Sequence, residues 1–241
     1  MREPWAGLSL PRRAAAEFVG TALLLTSVVG SGIMAERLFA GNAGLALLAN
    51  SMATAAALAA SIVSWQSASG AHFNPLVSLD SAIRNRSGWL EVCAYVAAQA
   101  AGAIAGVLIA NVMFDGPAFS LSEHHRSGVG QYLGEAVATF GLLVVIRRCA
   151  SHRPSAVAPA VAAYILGAYW FTASTSFANP AVTFARAFTN TFTGISLGDV
   201  PGFWLSQIVG AIAALAFLRL LEPTPATKPT ESEAAREARV G

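Results

Sequence analysis

Hydrophobic positions in this chain fall in long blocks rather than in narrow stripes. Residues 14–35 hold one charged side chain, Glu17, and residues 43–64 and 92–114 hold none. Residues 130–146 hold only Glu135, and residues 156–173 and 200–218 again hold none. A helix crossing the hydrocarbon core needs about 20 mostly apolar residues. The six blocks therefore predict six transmembrane helices, the last three near the short limit. A soluble bundle would need a polar face on each helix, and these blocks lack one. The expected class is an all-α membrane protein.

Two short apolar stretches do not fit that pattern, and both open on the same dipeptide. The first reads Gly70-Ala71-His72-Phe73-Asn74-Pro75-Leu76-Val77-Ser78-Leu79, and the second Ser176-Phe177-Ala178-Asn179-Pro180-Ala181-Val182-Thr183-Phe184. Asn is a strong helix N-cap and Pro is favoured at the first helical position. Each copy predicts a half-helix too short to span, with the positive end of its dipole aimed at a fixed place.

The halves share more than Asn-Pro. Ala16-Glu17-Phe18-Val19-Gly20-Thr21 corresponds to Gly134-Glu135-Ala136-Val137-Ala138-Thr139, and Gln99-Ala100-Ala101-Gly102 to Gln207-Ile208-Val209-Gly210. The order Glu, Asn-Pro, Gln-x-x-Gly is kept in both. Three spans per half is odd, so the second half sits upside down relative to the first. Inverted repeats of this kind place their working site near the bilayer midplane, at broken helices.

Composition agrees: 55% of residues are hydrophobic and 12% charged. The net charge of +2 is no nucleic-acid signature, because the cations sort by side of the membrane. Arg2, Arg12 and Arg13 precede the first span, Arg84 and Arg86 follow the second, and Arg147, Arg148 and Arg153 follow the fourth. The alternate loops hold only Arg37 and Arg126, so both termini are expected in the cytoplasm. The first apolar run is too long for a cleavable signal and reads as an anchor. A channel unit is expected over residues 12–221, with repeats over 12–114 and 130–221, between an N-terminus of residues 1–11 and a disordered tail, 222–241. Cys93 and Cys149 read as small apolar residues, and His124-His125-Arg126 as a solvated outer loop. No cofactor or resident metal is expected.

Ser69-Gly70-Ala71-His72-Phe73-Asn74-Pro75, with Asn179-Pro180-Ala181 and the Glu17 motif, resembles the aquaporin and aquaglyceroporin family of major intrinsic proteins. The resemblance implies an aquaporin-like fold of six tilted helices and two re-entrant half-helices meeting at mid-membrane. It implies a homotetramer with one pore per subunit, passing water and small neutral solutes. Asn74 and Asn179 would turn amide donors toward passing oxygens. Glu17, Glu135 and His72 would brace the re-entrant loops.

The family's constriction commonly takes an Arg directly after the second Asn-Pro-Ala; here that position is Val182. The other positions, by the resemblance and ungapped counting, are Ser176, Thr54 and Gly167, which make a wide, uncharged ring. Leu76 replaces the Ala of the first motif and is expected to add apolar volume beside the Asn pair. Arg186, four residues past Val182, is a candidate compensating charge, expected about 6 Å deeper if the half-helix runs inward. The run Asn179-Pro180-Ala181-Val182-Thr183-Phe184-Ala185-Arg186 resembles the arsenic-resistance-associated bacterial branch, which suggests glycerol, urea, arsenous acid or methylated arsenicals as solutes and the inner (plasma) membrane as location. The alternative is a secondary transporter coupled to protons through Glu17 and Glu135. An enzyme is not expected, since no nucleophile or metalloprotease motif is present.

Overall fold

The structure, a computed structural model, describes residues 7–85 and 88–221. The expected tail, 222–241, and residues 1–6 of the N-terminus lie outside the described residues. Among the described residues eight α-helices follow in order: α1 (Leu10–Leu38), α2 (Ala43–Ser69), α3 (Pro75–Asn85), α4 (Trp89–Met113), α5 (Val129–His152), α6 (Val157–Phe171), α7 (Pro180–Ala185) and α8 (Val200–Leu220). Six are long and apolar enough to cross a membrane, α6 reaching 18 residues only with the 3-10 turn Pro154–Ala156 ahead of it. The helices overrun the uncharged blocks at several ends. α1 takes in Arg13, whose guanidinium forms an ion pair with Glu91 at 2.6 Å at the start of α4.

Each half is built alike. α1 packs along α2 and α4, and α5 along α6 and α8. Glycines make the closest approaches. A Cβ on Gly102 would lie 2.3 Å from the Phe18 carbonyl oxygen, and one on Gly210 would lie 2.2 Å from that of Ala136. These pairs hold equivalent places in the two repeats, which is why Gln-x-x-Gly recurs. Backbones this close gain the dense packing that holds helices together in lipid, where water drives no association. The short helices α3 and α7 lie between the halves, each touching both α4 and α8.

Gly70, at φ +90°, closes α2 in a left-handed conformation that a side chain would disfavour. The chain then runs non-helically to Asn74. From Thr172 it does the same to Asn179 before α7 begins.

Candidate functional site

The two non-helical loops are copies of each other. Ala71 and Phe73 have φ of +51° and +50°, and their counterparts 105 residues on, Ser176 and Ala178, have +53° and +48°. Left-handed conformations cost non-glycine residues about 1–2 kcal/mol each, so something must hold them. Glu17 does so in the first loop, accepting the His72 and Phe73 amides at 2.9 and 2.7 Å, the Ser69 hydroxyl at 2.6 Å and Gln99 Nε2 at 2.8 Å. Glu135 accepts the Phe177 and Ala178 amides at 2.8 and 2.9 Å and Gln207 Nε2 at 2.6 Å. Both carboxylates are fully buried. Each Gln also donates onto its half-helix, Gln99 to Ser78 and Gln207 to Thr183. His72 contacts Ser78 through Nδ1 at 3.1 Å and meets Tyr95 edge-on.

The loops meet at the two asparagines. Asn74 Oδ1 accepts the Leu76 amide, and Asn179 Oδ1 accepts those of Ala181 and Val182, so each caps its own helix. Asn74 Nδ2 donates to the Ala178 carbonyl at 2.8 Å, and Asn179 Nδ2 to the Phe73 carbonyl at 2.7 Å. Each asparagine is thus stitched to the opposite loop.

Beside this junction lies a cavity of about 160 Å³, room for about a dozen waters at roughly 10–15 Å³ each. Its walls are stripes at helical spacing. Thr54, Leu58, Ile62 and Gln66 come from α2, Val157, Val161, Ile165 and Tyr169 from α6, Leu24 and Val28 from α1, and Leu142 and Ile146 from α5. Val77, Ser81 and Arg84 continue the wall from Asn74 along α3, and Val182 and Arg186 continue it from Ser176 and Asn179 along α7.

Thr54, Ser176 and Val182 thus share the cavity wall, but Gly167 does not. Two residues from both Ile165 and Tyr169, it sits about 200° around α6, and a Cβ there would face Phe171. Tyr169 occupies the wall instead, its hydroxyl 3.4 Å from Thr54 Oγ1. The wall is therefore more aromatic there than the ungapped count implies. Leu76 is displaced by the same arithmetic: two residues past the capping Asn, it packs against Leu143, Ala211 and Ala214, while Val77 faces the cavity.

Arg186 also departs from expectation. α7 starts at the junction and runs away from it, so Arg186 lies farther out than Val182 and not deeper. Its amide neighbourhood belongs to the loop after α7: its carbonyl accepts the Ile195 amide, and Nε donates to the Thr193 carbonyl. Arg126, in the α4–α5 loop, reaches the same region, donating to the Gly194 and Phe192 carbonyls. Burial lowers its pKa, against the pull of nearby Glu135. On the α3 side, Asp80 pairs with Arg147 at 3.0 Å between α3 and α5. Sequence reasoning passed over this pair, although Asp80 is the one acid of α3.

Two inverted three-helix halves, with re-entrant loops cross-stitched beside a lined lumen, define a membrane channel. The chain belongs to the major intrinsic protein family, whose model matches residues 5–172 and 148–239. It is 51% identical over 228 residues to the aquaglyceroporin AqpS of Rhizobium meliloti (strain 1021), covering 94% of this chain and 97% of that protein. It is 32% identical to the probable aquaporin TIP3-2 of Oryza sativa subsp. japonica, over 89% and 84% of the two chains. Among solved structures, the aquaglyceroporin from Plasmodium falciparum superposes with a TM-score of 0.67 at 22% identity, over 88% of this chain and 95% of that one, a likeness of fold. The protein is a multi-pass membrane channel for water and small solutes, not an enzyme.

Proposed function

We propose that the channel conducts small neutral solutes larger than water: glycerol, urea, and arsenous acid or its methylated relatives. The observation that carries this reading is the ring of Thr54, Tyr169, Ser176 and Val182 on the cavity wall. Val182 brings a short apolar side chain to the place after Asn-Pro-Ala, and Tyr169 and Ile165 add an apolar flank. Thr54 and Ser176 add hydroxyls to the same ring, that of Thr54 beside the Tyr169 hydroxyl, and Ser176 Oγ is buried without a hydrogen-bond partner. A polyol or a trihydroxy metalloid presents both characters, one side for the apolar flank and hydroxyls for the rest. The name aquaglyceroporin carried by the 51%-identical relative supports the glycerol reading.

Transport is passive. Glu17 and Glu135 spend their oxygens on loop amides, which favours bracing over proton coupling. Six spans put both termini on one side, and the arginine distribution makes that side the cytoplasm. In a bacterial cell the inner membrane is the location. The lipid-facing apolar surface of the helices serves both the bilayer and assembly as a homotetramer with one pore per subunit.

Stopped-flow swelling of proteoliposomes against glycerol, urea and arsenous acid is the test, with and without a proton gradient. Solute flux well above that of empty vesicles and indifferent to the gradient is expected. Water flux alone, or uptake that follows the gradient, overturns the reading. Cysteine labelling from each side and the mass of the detergent-extracted particle check the orientation and the tetramer.

A further inference from the structure

Counting from the capping asparagines, residues 77 and 81 face the cavity in the first half, and their counterparts 182 and 186 face it in the second. Where the first half has Ser81, the second has Arg186. Its side chain is 2% exposed and is fixed from three directions. Nε donates to the Thr193 carbonyl. The guanidinium carbon stands 3.4 Å from the centroid of the Phe177 ring. Phe177 is itself held by its amide on Glu135, by Phe203 edge-on, and by Arg126, whose guanidinium carbon is 5.2 Å from the ring.

Cation–π stacking of this kind orients a guanidinium without neutralising it. A guanidinium carries five N–H donors, and one is used here. Among the described residues the terminal nitrogens of Arg186 have no hydrogen-bond acceptor and no carboxylate pairs with it. A buried charge needs partners, and on this wall only the contents of the lumen can supply them.

We propose that Arg186 is the fixed cation on the α7 side of this lumen, standing one helical turn beyond Val182, where it excludes cations and offers a fork of donors to acceptor oxygens of solutes entering from that side. The inference rests on the channel reading, and adds a recognition element to the ring described above. Ser176, with its unpaired hydroxyl on the same wall, is the neighbouring donor.

The test uses full-length protein in liposomes. Arg186→Gln removes the charge and keeps polar length. It is expected to raise K+ permeability on the order of a hundredfold, the effect of a unit charge about 5 Å away at an effective dielectric of about 20, while water still passes. Arg186→Lys is expected to keep K+ out but to alter the glycerol-to-water ratio, since an ammonium lacks the fork. K+ exclusion as tight in Arg186→Gln as in the wild type, with water flux intact, overturns the proposal. Should Arg186→Gln fail to assemble, Val182→Glu and Val182→Gln decide, because both leave Arg186 and its loop contacts in place. The Glu side chain, one turn from Arg186 on the same wall, is expected to pair with it there, occupy its free donors and cut water flux about tenfold below that of the Gln variant. Equal flux in the two overturns the proposal. A wild type that conducts no water at all contradicts the channel itself instead.

Discussion

Replacing Glu17 with Gln asks whether a single carboxylate holds the first re-entrant loop. Glu17 accepts four hydrogen bonds, from Ser69, His72, Phe73 and Gln99. A glutamine keeps one acceptor oxygen and turns an NH2 toward donors that Glu17 satisfied. Two bonds are then lost, because each carboxylate oxygen serves two donors. Hydrogen bonds to a charged acceptor are worth about 1.5–3 kcal/mol each, so the loss is about 3–6 kcal/mol, a large share of the roughly 5–15 kcal/mol that holds a typical fold. The stranded amides of His72 and Phe73 belong to the loop with left-handed residues, so the damage centres on the Asn74 junction. A melting midpoint about 6–24 °C below wild type is expected at roughly 2–4 °C per kcal/mol, measured by loss of the monodisperse peak on size-exclusion chromatography after heating. Water permeability should fall in step. A Glu17→Gln protein that melts within about 2 °C of wild type and conducts normally would refute the reasoning, and would mean that the loop holds itself.

Gly102→Val should cost about 1–3 kcal/mol as an overpacked contact, because its side chain meets the Phe18 carbonyl; a lowered melting midpoint with no change in solute preference is the expected result. Val182→Arg should lower glycerol and arsenous acid flux several-fold more than water flux in paired proteoliposomes, since the guanidinium fills the ring beside Tyr169; an unchanged glycerol-to-water ratio sends the constriction elsewhere. Asn179→Asp sets an anion against the Phe73 carbonyl and reverses the charge at the junction. It should lose neutral flux or admit K+, and unchanged flux with unchanged exclusion would show that Asn179 does not face the lumen.

The elements most visible in the sequence are those whose chemistry needs a fixed partner at a fixed distance. Glu17 with Gln99 and Glu135 with Gln207 recur because each must bridge a loop and a half-helix, so the duplication survives in the residues themselves. Long apolar blocks mark the spans for the same reason: lipid leaves no other choice. The rotation of α6 was not visible. A helix apolar all round has no polar face to orient it, and only packing decides that Tyr169 and not Gly167 meets Thr54. The stripe Val157, Val161, Ile165, Tyr169, ending in a hydroxyl, was the available signal. Leu76 and Arg186 were misplaced for a simpler reason. A half-helix capped at the junction runs away from it, so its third and seventh residues after the Asn face the lumen, and every later residue lies farther out.

The cross-stitching of the asparagines also sets an order in time. The acceptor for Asn74 Nδ2 is the carbonyl of Ala178, 104 residues downstream. At about 5–20 residues per second of synthesis, the first loop waits roughly 5–20 s in the membrane before its acceptor exists. Throughout that interval the first three helices carry a braced but unfinished loop, with Glu17 and Gln99 already available and the opposite strand still unmade. Birth of the lumen is therefore a single late event that closes both halves together, and a ribosome that stalls between the repeats leaves behind no half-sized pore.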